Sequence, residues 1–210
     1  MSKIDLYTNP MSRGQIMRWA LHEVGAEYEQ HILEYGTTMK SPEYLAVNPM
    51  GKVPAIVHNG HVVTECAAIC AYLTDAFPHS GLQPAEAERA SYYRWMFFGA
   101  GPVEAAVTNH ASGFDPAPDK EMMFGYGSYD RVIDTLEKHF SDNAYVCGDR
   151  FTGADLYVGS QVIWGVMFGT MPPRSSLVQY SDRLTARAAY IAAKAIDSAL
   201  IAEAQPASAG

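Results

Sequence analysis

The chain has 210 residues, 48% hydrophobic and 18% charged, which suits a folded protein with a substantial core in one large or two small domains. Its formal net charge of −8 supplies no basic stripe, so neither nucleic acid nor an anionic membrane surface is an expected partner. No apolar run reaches the ~18 residues a bilayer span needs, Met1 leads straight into an alternating segment with no apolar signal region, and the sparse, odd set Cys66, Cys70 and Cys147 fits a reducing cytoplasm better than a disulfide framework.

Ile4-Asp5-Leu6-Tyr7 alternates and predicts a short strand, which Asn9-Pro10 ends. Ser12 is placed to cap a helix in which Ile16, Met17, Trp19, Ala20, Leu21 and Val24 recur at helical spacing, and Gly25 is its expected stop. Glu27 to Ile32 predicts a second strand. Ser41-Pro42-Glu43 combines an N-cap, a proline at the first helical position and an acidic first turn; the short helix must end by Asn48-Pro49. In GKVPAIVHNGHVVTEC, residues 51–66, Asn59-Gly60 lies between two apolar, β-branched runs and signals a hairpin. Cys66 to Phe77 forms the next helix, closed by Pro78.

The order β-α-β-(α)-β-β-α over residues 1–78 predicts a mixed four-stranded sheet with helices packed on it. The first β-α-β is long enough to be parallel, and the last two strands must be antiparallel. PHSGLQPA, residues 78–85, reads as a linker, and strand signals then stop. A long helical pattern runs from Glu86 to His110, with Gly99, Gly101 and Pro102 as possible kink points. Residues 111–118 predict a loop, Asp119 to Ser141 a helix, and Phe151 to Leu156 the opening of another that Pro172-Pro173 ends. Ser175 to Glu203 is a last helical region, and AQPASAG a frayed tail. Residues 85–203 are thus expected to form an all-helical second domain. In FTGADL, Thr152 as N-cap and Asp155 three residues on make a capping box, with Phe151 and Leu156 as its staple, so the motif is read as structural.

Pro54 has no N–H to give to the strand it opens. One reading is a cis Val53-Pro54 bond that turns the Val53 N–H and C=O away from their own sheet, toward an extended peptide ligand. The other is an edge-strand proline that blocks aggregation. Spacing alone leaves both open.

The combination NPMGKVPAIVHNGHVVTECAAICAYL, with the preceding LYTNPMSRG and the later FTGADL, resembles the glutathione S-transferase family, in particular its bacterial, serine-type members. The resemblance extends to the ending from Arg183 to Tyr190 and covers nearly the whole chain. It implies an α/β thioredoxin-like N-terminal domain, an all-α C-terminal helical-bundle domain and a cytoplasmic homodimer, with Tyr93, Met96 and the Glu86–His110 helix as candidates for the interface. It further implies a cis bond at Pro54 that presents the Val53 backbone to the cysteinyl unit of glutathione. Glu65 and Cys66 fall where the family binds the γ-glutamyl end, the carboxylate at a helix N-terminus and the ammonium on the acid. Cys66 stands where serine is common, and a thiol is the weaker donor. Lys40 and Lys52 align with positions that approach the glycine carboxylate.

The thiol needs help to ionise, since a free thiol has a pKa of about 8.5. Family members supply it with tyrosine, serine or cysteine. No cysteine precedes Tyr44, so a mixed-disulfide mechanism is not expected. Ser12 matches the serine types and is the first candidate; Tyr7 is the alternative, and Asn9, Arg13 or backbone N–H groups are the others. An aromatic and methionine-rich supply (Tyr92, Trp95, Met96, Phe97, Phe98, Trp164, Met167, Phe168) offers surface for a hydrophobic electrophile, although most of it reads as core. No histidine or cysteine spacing suggests a metal. The expected activity is conjugation of glutathione to hydrophobic electrophiles. Alternatives are a glutathione or hydrophobic-ligand binding protein with little turnover, and a specialised glutathione-dependent peroxidase, isomerase or dehalogenase.

Overall fold

A computed structural model describes residues 3–204. Alternation in the first segment becomes β1 (Ile4–Thr8), followed by α1 (Gly14–Val24), β2 (Tyr28–Ile32), α2 (Pro42–Val47), β3 (Ala55–His58), β4 (His61–Thr64) and α3 (Cys66–Ala76). The sheet order is β2-β1-β3-β4. β1 pairs parallel with β2, and β3 pairs antiparallel with both β1 and β4. This is the expected mixed, thioredoxin-like sheet. The turn between β3 and β4 has positive φ at Asn59 (54°) and Gly60 (77°), which suits these residue types. Ser41 caps α2 through its hydroxyl, which accepts from the Tyr44 N–H, and Pro42 is the first helical residue.

Ile4, Leu6 and Ile56 of the sheet, Ile16, Met17, Ala20 and Leu21 of α1, and Ile69 and Leu73 of α3 are all buried. Each large apolar side chain so buried contributes about 1.5–3 kcal/mol. The core therefore lies between the sheet and the α1–α3 pair, which fixes both helix N-termini beside the strand ends.

By its contacts the chain divides into two compact units, one reaching Gly81 and regaining the chain from Arg187 onward, the other spanning Leu82–Ala186. This differs from the expected split into 1–78 and 85–203. The expected last helical region breaks into α8 (Ser175–Thr185) and α9 (Ala188–Ala204), and α9 packs on α1 in the first unit. A buried ion pair holds it there: Arg18 Nε donates to Asp197 Oδ1 at 2.9 Å, and both side chains are fully enclosed. Arg18 Nη1 also donates to the Tyr28 hydroxyl (3.0 Å) and to Gln30 Oε1 (2.8 Å). Arg187 forks onto Glu23 at 2.6 and 2.7 Å, and Trp19 meets Tyr190 edge-on.

In the second unit α4 (Arg89–Phe98) runs through a π-helical turn (Gly99–Val103) into α5 (Glu104–Ala111), placing the irregularity at the expected Gly-Pro segment. The helix expected over 119–141 starts later: α6 spans Tyr129–Asp142, and the chain before it holds only a 3-10 turn at Glu121–Met123. Gly125 and Gly127 are poor helix residues and separate the two. α7 (Gly153–Met167) is the central, most buried helix. Its Asp155 accepts from the N–H groups of Thr152 and Val146 (2.8 Å each), from the Tyr180 hydroxyl (2.9 Å) and from the Thr152 hydroxyl (3.2 Å). The FTGADL capping box is thus in place. The expected frayed tail, AQPASAG, lies outside the described residues beyond Ala204.

Candidate functional site

The site residues expected from the sequence all fall in the first unit: Tyr7 within β1, Ser12 and Arg13 in the segment that leads into α1, Lys40 in a 3-10 turn ahead of α2, Lys52 to Pro54 before β3, and Glu65 and Cys66 at the start of α3. Asn9 shapes the loop after β1. Its Oδ1 accepts the Met11 N–H at 2.9 Å and its Nδ2 donates to the Leu33 carbonyl at 2.8 Å. Ser12 then sits one residue ahead of the cap position, which Arg13 occupies, rather than at the cap itself. The Ser12 hydroxyl accepts the Gly14 N–H (2.9 Å) and donates to the Asn9 carbonyl (2.7 Å). It is half-buried at the start of α1, where the helix dipole is positive.

Tyr7 is placed differently. Its ring stacks on His31 at 4.7 Å and lies 5.4 Å from Tyr44, packed against the buried cluster of Met39, Tyr44 and Ala55. Burial, reinforced by the Asp5 carboxylate, raises its phenol pKa above the ordinary value, which makes it the poorer proton donor.

The Val53-Pro54 bond is cis, as one reading of the sequence expected. Among the described residues, neither the N–H nor the carbonyl of Val53 has a backbone partner. The segment leading to it is clamped by residues the sequence reading did not single out. The Lys52 carbonyl accepts from both the Tyr44 hydroxyl and Asn48 Nδ2. Only the turn signal Asn48-Pro49 could have pointed there. Lys40 joins the same brace: its Nζ donates to the Gly51 carbonyl at 2.8 Å. Gly51 has φ +56°, and a Cβ there would fall 2.8 Å from Lys40 Nζ and 3.0 Å from the Met39 carbonyl, so the close approach requires glycine. The Lys52 side chain is exposed.

Glu65 precedes α3 with φ 65° and ψ 117°, left-handed backbone that costs a non-glycine residue about 1–2 kcal/mol. Its side chain is exposed, and Cys66, half-buried, opens the 11-residue helix. Among the described residues the N–H groups of Ala67 and Ala68 have no backbone acceptor, so the first turn of α3 offers donors to an anion. Cys70, one turn on, is enclosed, and burial raises its pKa well above that of an ordinary thiol.

At the Asn9–Met11 segment lies an apolar groove of about 310 Å³, lined in part by Met11, Ile32, Tyr35, Leu200 and Ile201. The aromatic supply of the second unit is divided. Tyr92, Trp95 and Met96 are buried, as the core reading expected, whereas Phe97 (73%) and Phe168 (69%) are among its most exposed large apolar residues. Met96 therefore offers no surface to a dimer partner in this fold, and Tyr93 does. Among the described residues no group of three or more His, Cys, Asp and Glu is placed to hold a metal. No described helix is long and apolar enough to cross a membrane.

A thioredoxin-like four-stranded sheet unit followed by an all-helical unit defines the class of fold. The sequence profile "Glutathione S-transferase, N-terminal domain" matches residues 2–75, and "Glutathione S-transferase, C-terminal domain" matches residues 84–165. The chain is 29% identical to Glutathione S-transferase 3 of Zea mays over 85% of its own length and 84% of that protein's. It superposes on a glutathione transferase from Methylococcus capsulatus with TM-score 0.76 at 27% identity, over 93% of this chain and 99% of that one. A sphingomonad glutathione S-transferase complexed with glutathione gives TM-score 0.75 at 26% identity, over 92% of this chain and 98% of that one. The chain belongs to the glutathione S-transferase family, and glutathione transfer is the activity its relatives define.

Proposed function

We propose that this chain binds glutathione along the Val53 segment, holds its sulfur as thiolate at Ser12 and adds it to hydrophobic electrophiles. The observation that carries the reading is the pair of unpartnered backbone groups on Val53, which matches an extended ligand adding as a strand. In this arrangement the γ-glutamyl carboxylate takes the free N–H groups at the start of α3, and Glu65 faces the ammonium. Lys52 reaches the glycine carboxylate, while Lys40 keeps the loop in shape through the Gly51 carbonyl. Cys66 contributes its backbone more than its thiol. The Ser12 hydroxyl turns from the Asn9 carbonyl to the sulfur, with the Gly14 N–H holding its oxygen in place. Each unit of thiol pKa depression asks about 1.4 kcal/mol of preference for the thiolate, within reach of one charge-assisted hydrogen bond and a helix dipole. Arg13, at the helix cap, adds positive potential. Tyr7 supports the loop by packing. The apolar groove beside Met11 and Tyr35 receives the electrophile, and proximity supplies the remaining acceleration. The protein works in the cytoplasm as a homodimer, with Tyr93 as a contact.

The test is the near-ultraviolet absorbance of the thiolate in protein-bound glutathione as a function of pH. The expected result is titration well below the free thiol. Titration at the free value would give preference to the second reading, a binding protein with little turnover, which the Ser12 proton already donated to Asn9 and the thiol at Cys66 favour.

A further inference from the structure

Three buried side-chain atoms have no hydrogen-bond partner among the described residues: Arg18 Nη2, Asp197 Oδ2 and Thr8 Oγ1. The first two belong to one ion pair. Thr8 stands apart, fully enclosed at the end of β1, and a hydroxyl left unpaired in such a place is costly. What surrounds it is informative. A Cβ built on Gly14 would fall 1.8 Å from Thr8 Oγ1 and 3.0 Å from Ser12 Oγ. The chain therefore keeps position 14 bare, and the Thr8 and Ser12 hydroxyl oxygens face that same space, less than 5 Å apart and with no hydrogen bond between them.

Ser12 Oγ has two acceptor sites and one proton. One acceptor site takes the Gly14 N–H, and the proton goes to the Asn9 carbonyl. The second acceptor site faces no donor in this arrangement. We propose that Thr8 is a positioning residue of the thiolate site: a turn of its side chain aims Oγ1 at Ser12 Oγ, to which it donates when the Ser12 proton turns from the Asn9 carbonyl to the glutathione sulfur. A donor behind the serine oxygen polarises its O–H and strengthens the bond that O–H gives to the thiolate. It also holds the turned rotamer. The inference rests on the Ser12 reading above and adds the residue that acts through it.

The experiment titrates the thiol of protein-bound glutathione in the wild type and in Thr8→Val, Thr8→Ser, Thr8→Ala and Ser12→Ala, with a denaturant midpoint for each. Thr8→Val keeps the shape and removes the hydroxyl. It is expected to raise the midpoint pH of the bound thiol by about half a unit, roughly a threefold loss of thiolate near neutral pH, with the denaturation midpoint unchanged or higher. Thr8→Ser is expected to titrate as wild type. Thr8→Ser and Thr8→Ala both lack the methyl group and differ only in the hydroxyl, so they decide the matter even if the valine variant folds poorly. If both titrate alike while Ser12→Ala is shifted, Thr8 is only a buried orphan and the inference falls alone. If Ser12→Ala titrates as wild type, the Ser12 reading falls and the role of Thr8 with it.

Discussion

At the scale of single residues, the proposed site separates side chains that would meet ligand from those that hold the backbone in place. Ser12→Ala is expected to lower turnover at least tenfold with little change in glutathione affinity, because the hydroxyl acts on the charge that develops at sulfur. Steady-state kinetics beside a binding titration check this, and an affinity loss equal to the rate loss would count against the assignment. In the proposed site Glu65 joins a ligand contact to a left-handed backbone angle. Glycine accepts φ 65° without strain, at an entropic cost of about the same size. Glu65→Gly should therefore leave the denaturation midpoint within about 1 kcal/mol of wild type while glutathione KM rises about tenfold, through loss of the carboxylate facing the ammonium. The cis bond at Val53-Pro54 was legible in the sequence, as were the helix starts beside Ser12 and Glu65, because each stands next to a local signal. Thr8 was not. Its claim comes from the bare Cα of Gly14, six positions away, and no pattern of residue types announces such a contact.

At the scale of elements, α7 carries the clearest prediction. Burial pushes Asp155 up to about 6, against the four donors that pull its pKa down. The folded chain then keeps a proton between about pH 4 and pH 6 that the unfolded chain has released. This group's contribution to stability is full below about pH 4 and declines by about 3 kcal/mol as pH rises through 6. Urea midpoints at pH 4, 5, 6 and 7 should show a steeper fall for wild type than for Asp155→Asn. Asp155→Ala leaves the Val146 and Thr152 N–H groups and the Tyr180 hydroxyl unpaired and is expected to cost about 3–5 kcal/mol. Capping box, hairpin and helix stops were readable in advance because each is local. The start of α6 was not, because apolar spacing from Asp119 onward outweighed two glycines whose effect on the helix is larger than their number suggests.

At the scale of the molecule, the sequence placed α9 with the other helices, and packing places it with the sheet unit. Helical periodicity says what an element is, and not which core it joins. Here that choice is written in Arg18 and Asp197, and an arginine and an aspartate at such a separation look like ordinary surface charges. Asp197→Ala leaves a buried guanidinium without its carboxylate and should cost about 3–5 kcal/mol. Arg18→Met with Asp197→Leu should recover most of that loss, read by denaturant unfolding; an additive double variant would mean the two charges do not depend on one another.

The same pair has a consequence during synthesis. Arg18 leaves the ribosome 179 residues before Asp197 does. At ordinary elongation rates that is roughly ten to forty seconds. Throughout that interval Arg18 lacks the carboxylate that it is buried with in the folded protein. The Arg18 side chain cannot be enclosed with its carboxylate until residue 197 has emerged. A nascent chain stalled or cut before residue 197 keeps that charge unmatched and remains open to chaperones and proteases, so α9 acts as a check on the folding of α1.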